Sequence, residues 1–322
     1  MSAVVADSLG VLGSCRLVAE KSRYVHVDEA ALAGLAPGLA RRVQPPAWHQ
    51  RYHWVDGTEK TANWLLVLDA LNFSFWGDPR WRVEYRGETL DGYFALAASL
   101  TRAVEEGRPL WDARYLSALT TEELGQILGG ENVVPLLDRR LEHLHELGDV
   151  LLMKYQGWFA RAVESCNGSA VRLVQLVAGD FPSFDDIADF KGREVRFYKR
   201  AQLLVSDLYG AFGGERWGRF TDLDQLTVFA DYKLPQILRH MGILVYLPSL
   251  AEKVDNRFLL PPFSREEVEI RANTVWACEL LRRELARHGA ALRAFELDWW
   301  LWNESQSFPG MALYHLCRTV YY

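Results

Sequence analysis

SREEVEIRANTVWACELLRRELARHG, residues 264–289, reads as one long helix. Ser264 followed by Glu267 has the form of a capping box, in which hydroxyl and carboxylate satisfy free first-turn donors reciprocally. Gly289 stands at the C′ position that closes the helix Ser264–His288. The same signals recur outward from it. Asp28 is placed to cap Glu29–Arg42, with Leu32, Leu35 and Leu39 at helical spacing and Pro37 as a break. Thr58 caps a helix whose apolar face is Trp64, Leu65, Leu68 and Leu71, and Thr120-x-x-Glu123 is a second capping box. Val134–Tyr155 and Ser169–Val177 read as helical too. Strand signals are few: Trp81, Val83 and Tyr85 alternate before Gly87, and Glu194–Tyr198 makes a short extended piece. The reading is mainly α: one large helical domain over 1–322 with a small β excursion near 80–93. An N-terminal subdomain at 1–130 would pack on a helical core at 131–322.

The chain has 322 residues, 49% hydrophobic and 24% charged, a globular balance that excludes wholesale disorder. Its net charge of −6 lowers the expectation of a general nucleic-acid binder, because phosphate backbones are not attracted over distance. Cys15, Cys166, Cys278 and Cys317 form no CxxC pair and no zinc-spaced cluster, and read as reduced, mostly buried thiols of a cytoplasmic protein. Met1–Gly13 lacks the features of a signal peptide, and no stretch has membrane-span length and apolarity. Neither repeats nor low-complexity tracts occur.

GxGxxG at a strand-helix junction, GxxxxGK[ST], HExxH and GxSxG are all missing, which argues against phosphate-cradling loops and zinc hydrolases. What stands out is acids inside apolar runs: Asp69 in LLVLDAL (65–71), Asp231 in LTVFADY (226–232) and Asp298 in FELDWWLW (295–302). An unpaired buried carboxylate is costly, so each needs donors, a cation or a ligand. Asp69 and Asp298 read as structural acids bonded to backbone donors or an arginine. Asp231 precedes a helix expected at Gln236–Ile243, because Pro235 disfavours helical geometry at Leu234. A carboxylate there suits a water-poor pocket, and structural and functional roles are both open for it. Asp185-Asp186 follows Ser183 in a possible helix start, with Asp186 at N3. Arg196-Phe-Tyr-Lys-Arg200 is either a solvated basic face or a phosphate site with a ring to stack. His53 stands between Tyr52 and Trp54, as a packing residue or a polar ligand contact.

Several of these elements together resemble one family. Leu-Asn-Phe-Ser-Phe-Trp at 71–76, Phe-Tyr-Lys-Arg-Ala-Gln at 197–202, Phe-Ala-Asp-Tyr-Lys-Leu-Pro-Gln at 229–236, Val-Glu-Ile-Arg at 268–271 and Leu-Asp-x-x-Leu-Trp at 297–302 are similar, in order, to the queuosine salvage proteins. The resemblance runs from about Ser14 to Tyr322. It implies hydrolysis of the N-glycosidic bond of queuosine 5′-monophosphate, releasing queuine and ribose 5-phosphate. It also implies a core similar to helix-hairpin-helix DNA glycosylases, which place an essential Asp just before a helix. Carried onto this chain, the resemblance makes Asp231 and Lys199 the catalytic pair. His53, Phe184, Asp186, Tyr232, Gln236 and Lys199 become substrate contacts. Asp185 departs from the basic residue common in relatives, and Lys233 from an arginine, a change that matters wherever bidentate contact is needed.

Under that reading Asp231 is ionised and stabilises a ribosyl oxocarbenium ion, orients water, or forms a covalent ester. Lys199 would help keep it charged, and Lys199 or Arg200, but not both, would hold the phosphate. Asp186 would read the base's N1–H and amine, while Phe184 and Tyr232 sandwich the ring. His53 would meet the base edge or the cyclopentenediol. The expected protein is a cytoplasmic monomer without metal or cofactor, acting on a small nucleotide and on neither a membrane nor polymeric nucleic acid. The alternatives are a glycosylase or tRNA binder acting on a polymer, a non-enzymatic carrier of a modified nucleobase or nucleotide, and a helical interaction scaffold.

Overall fold

Capping and apolar spacing are honoured along most of the chain in the computed structural model, which describes residues 7–48, 51–308 and 310–322. The leader reading of Met1–Gly13 thus falls partly, at 1–6, outside the described residues. Helix α1 (Val11–Lys21) leads into strand β1 (Val25–Val27), and α2 (Glu29–Ala40) starts at Asp28, whose carboxylate accepts the Ala31 N–H at 2.9 Å. The break expected at Pro37 does not occur. Pro37 lies inside α2, where burial of Leu32, Ala36 and Leu39 outweighs one lost hydrogen bond. Thr58 opens α3 (Glu59–Ala70) as the spacing predicts, but every residue from Thr61 to Ala70 is buried. This helix threads the centre of the molecule and has no solvent face.

The β excursion is a hairpin of β2 (Arg82–Tyr85) and β3 (Glu88–Asp91), turning at Arg86 and Gly87, both at positive φ. Next come α4 (Gly92–Glu105), α5 (Ala113–Ala118) and α6 (Thr121–Ile127), the last with both halves of the Thr120–Glu123 box formed. Helix α7 (Leu137–Tyr155) starts three residues later than expected, beyond Pro135. After α8 (Phe159–Ser165), Ser169 caps α9 (Ala170–Asp180). The anticipated cap at Ser183 is absent: a short 3-10 turn, Pro182–Phe184, replaces it, and Ser183 donates to Glu146.

A second hairpin, β4 (Ile187–Asp189) with β5 (Glu194–Arg196), delivers the chain to α10 (Lys199–Ala211). Then follow α11 (Lys233–His240), β6 (Leu244–Tyr246), which pairs antiparallel with β1, and α12 (Pro248–Asp255). Strand β7 (Leu259–Leu260) precedes α13 (Arg265–Arg287) and α14 (Ala294–Ser307), and β8 (Leu316–Cys317) returns parallel to β7. Ser264 accepts the Glu267 N–H at 3.3 Å, but the Glu267 carboxylate takes the Phe263 N–H and the Tyr322 hydroxyl instead of completing a box. Helices α1 and α2 pack on α13, α3 on α10, and α11 on α14. One continuous apolar core runs from Leu9 to Leu301, and all four cysteines are buried with free thiols. Among the described residues no helix is long and apolar enough to cross a membrane.

Candidate active site

The segment leading to Asp231 has no regular structure, so its backbone groups need side-chain partners. Three buried residues supply them. Gln202 accepts the Thr227 N–H at 2.8 Å and donates to the Phe197 carbonyl at 2.8 Å. Asp298 accepts the Phe229 N–H at 2.7 Å, and Arg271 Nε donates to the Ala230 carbonyl at 3.3 Å. Asp231 Oδ1 then accepts the N–H groups of Lys233 and Leu234, at 2.7 and 2.9 Å. The helix expected at Gln236 therefore starts three residues earlier. Pro235 occupies the first turn, where its missing N–H would have had no intrahelical partner, and Asp231 satisfies the two free amides before it.

Arg271 also anchors the opposite wall. Its guanidinium makes two bonds to Asp186, at 2.9 and 2.5 Å, between the rings of Phe197 and Tyr322. Asp186 in turn accepts the backbone N–H of Lys199. One buried ion pair thus fixes the start of α10 and the backbone beside Asp231. Arg200 points away from Lys199: it donates to the carbonyls of Asp69, Ala70 and Ser183. Arg140 does the same for Leu71 and Phe73, so two cations hold the C-terminal end of α3 and the loop after it.

These elements enclose a cavity of about 220 Å³. Asp207, Asp231, Asp298 and Lys199 reach it, among walls that include Trp48, Phe75, Tyr232, Trp299 and Trp302. Burial raises the Asp231 pKa; the Lys199 ammonium and the two backbone amides oppose this. Burial pushes Asp298 well above the carboxylate range, against the Phe229 amide and with help from the Asp231 charge. Asp207 is pushed up to about 7 by burial, although the Trp48 indole bond and Lys199 favour its charge. Burial lowers the Lys199 pKa, countered first by Asp231 and then by Asp69. Asp69 lies behind the wall, driven well above its usual range by burial and by Asp207. The donors expected for it are missing: neither oxygen is hydrogen-bonded in good geometry among the described residues, with only a weak contact to Asn72.

The cavity brings together Asp231, Lys199, His53 and Tyr232 of the sequence-derived site. His53 Nε2 pairs with the Tyr93 hydroxyl at 2.7 Å, and the Tyr232 ring lies 4.8 Å from that of Tyr314. Asp186 is not on the wall, because Arg271 and the Lys199 amide occupy its oxygens. Phe184 is wholly buried beneath Arg200, and Gln236 Nε2 is spent on the Ala312 carbonyl. Sequence reasoning passed over Asp207 and Arg80, both on the wall. The only hint of Asp207 was another acid in an apolar run, LLVSDL. Among the described residues no group of three or more His, Cys, Asp or Glu is placed to hold a metal ion.

The sequence model of the queuosine salvage proteins matches residues 52–322. The chain belongs to this family. It is 52% identical to the queuosine 5′-phosphate N-glycosylase/hydrolase of Sphaerobacter thermophilus over 98% of both chains. Proteins of the same name from Bos taurus and Mus musculus are 35% and 36% identical, each match spanning 96% of this chain and 97% of the relative. Within this family the Phe-Ala-Asp-Tyr and Val-Glu-Ile-Arg segments acquire a joint physical meaning here: one presents the carboxylate and the other carries the arginine that holds its backbone.

Proposed function

We propose that this chain hydrolyses the N-glycosidic bond of queuosine 5′-monophosphate to give queuine and ribose 5-phosphate. The observation that carries the reading is Asp231 itself: a buried carboxylate on a cavity wall, one oxygen fixed by two backbone amides and the charge balanced by Lys199. As the C1′–N bond lengthens, positive charge develops on the ribosyl ring. A carboxylate already oriented needs no reorganisation to stabilise it. The same group orients the incoming water and takes its proton.

Lys199 serves the charge of Asp231 in this scheme, so the phosphate falls to the other cations on the wall, Lys233 and Arg80. The indole and phenol rings exclude water and offer faces to the base, and His53, oriented by Tyr93, offers a polar edge. A core like that of the helix-hairpin-helix DNA glycosylases, with residues 1–130 packed on 131–322, is part of this reading. Its support is the position of Asp231 just before α11. A free nucleotide is preferred over polymeric nucleic acid because the net charge is −6. The buried free thiols favour a cytoplasmic setting, and a monomer suffices because every residue invoked comes from one chain.

The test is queuine release from queuosine 5′-monophosphate, followed chromatographically. Asp231→Asn keeps the shape and the backbone caps. Turnover should fall by about a hundredfold or more while ligand binding persists. Near-normal turnover would eliminate the proposal.

A further inference from the structure

We propose that Asp207, in its neutral form, donates the proton that allows the base to leave. The inference rests on the reaction proposed above. Asp207 lies on the cavity wall and is 3% exposed. Its Oδ1 is tied to the Trp48 indole N–H at 3.0 Å, while Oδ2 has no partner among the described residues. One oxygen is therefore fixed by the protein, and the other, itself buried, has no partner among the described residues.

The chemistry asks for such a group. A 7-deazaguanine carries carbon where a purine has N7, so the leaving base cannot be relieved of charge there. Protonation must occur at a remaining acceptor, N3 or O6. Asp231 has to be anionic for its own task, and Asp298 is held by the Phe229 amide, which favours its charged form. Burial raises the pKa of all three carboxyls, and Asp207, pushed up to about 7, is the one with a buried oxygen that has no partner among the described residues. At Asp231 the Lys199 ammonium and two backbone amides oppose that rise, so an anionic Asp231 and a neutral Asp207 can work as an acid–base pair. The charged and titratable groups around Asp207 are Asp69 on α3, Tyr93 on α4, Lys199 on α10 and Asp298 on α14. His53 lies beyond Trp48, its ring centroid 4.6 Å from the indole.

The step balances without a co-reactant. The C1′–N electron pair goes to the base as the Asp207 proton moves to the base acceptor. Water adds at C1′ and gives its proton to Asp231. Solvent then reprotonates Asp207 and deprotonates Asp231.

Queuine release is measured against pH for the wild type, Asp207→Asn and Trp48→Phe. In the wild type kcat should fall as pH rises through about 7, because the required form is neutral. Asp207→Asn should lose a hundredfold or more in kcat and lack that alkaline limb. Trp48→Phe removes a donor that favours the carboxylate, so the limb should move up by about one pH unit. This shift is the readout that mere damage to the cavity would not produce. An alkaline limb retained in Asp207→Asn, turnover there within fivefold of wild type, or an unmoved limb in Trp48→Phe would overturn the assignment. Failure of the wild type to release queuine would instead refute the underlying reaction.

Discussion

Replacing Asp186 by asparagine tests whether this residue is a strut or a reader of the base. Asp186 and Arg271 are both almost wholly buried and joined by two hydrogen bonds. Despite burial, the Arg271 pKa is driven upward, chiefly by Asp186, so the guanidinium stays charged at any accessible pH. Asparagine removes the compensating charge and turns an NH₂ toward those donors. Breaking one side of a buried pair costs about 3–5 kcal/mol. Glu267 remains 3.7 Å from Arg271, which places the expected loss near the lower end, about 3 kcal/mol. With an unfolding entropy near 2.1 cal/mol/K per residue over 322 residues, that is a fall of roughly 4 °C in Tm. Urea unfolding and queuine release would be measured on the same preparation. Stability should fall by the stated amount, and kcat should fall more than KM rises, because the Lys199 amide and the Ala230 carbonyl lose their anchor together. Asp186→Leu combined with Arg271→Met should recover much of the stability but not the turnover. A stability change below about 1 kcal/mol with KM alone raised would refute the strut and return Asp186 to the ligand.

Lys199→Met removes the strongest charge opposing the rise of the Asp231 pKa, so that pKa should climb further. Because the role proposed for Asp231 requires its ionised form, the acid limb of kcat/KM should move to higher pH; a stationary limb would break the link. Lys233→Ala should reduce activity on the nucleotide far more than on the nucleoside, and equal losses would remove Lys233 from the phosphate site. A Cβ on Gly210 would fall 2.3 Å from the Trp48 ring. Gly210→Ala should therefore destabilise by about 1–3 kcal/mol and displace the indole from Asp207, read by denaturation and by the alkaline limb of kcat. Asn63 bridges the Trp111 and Gly157 carbonyls and the Phe159 N–H. Asn63→Ala should cost about 2–4 kcal/mol, and an unchanged urea midpoint would refute that role.

Local chemistry was the legible part of the chain. Thr58, Thr120 and Ser169 each open a helix because a hydroxyl beside free amides is decisive within four residues. Asp231 was legible for a related reason: an acid a few residues ahead of a first-turn proline is a common form of helix start. The helix limit was misplaced because Pro235 was read as a barrier, whereas a first-turn proline forfeits nothing. Pro37 was misread because packing on α13 is not visible from nearby residues. Asp186 and Arg271 are 85 positions apart, and no spacing rule joins them. Asp207 stayed hidden because its raised pKa comes from burial and its hydrogen-bond partner Trp48 lies 159 positions away.

Tyr322 carries a consequence for biosynthesis. Its carbonyl accepts the Ser74 N–H, its hydroxyl donates to Glu267, and its ring covers Arg271. A nascent polypeptide still lacking this residue would hold the long helix with a guanidinium face uncovered and the 71–76 loop untied. The wall around Arg271 is therefore complete only once Tyr322 has packed, so two segments nearly 250 residues apart in sequence close it together.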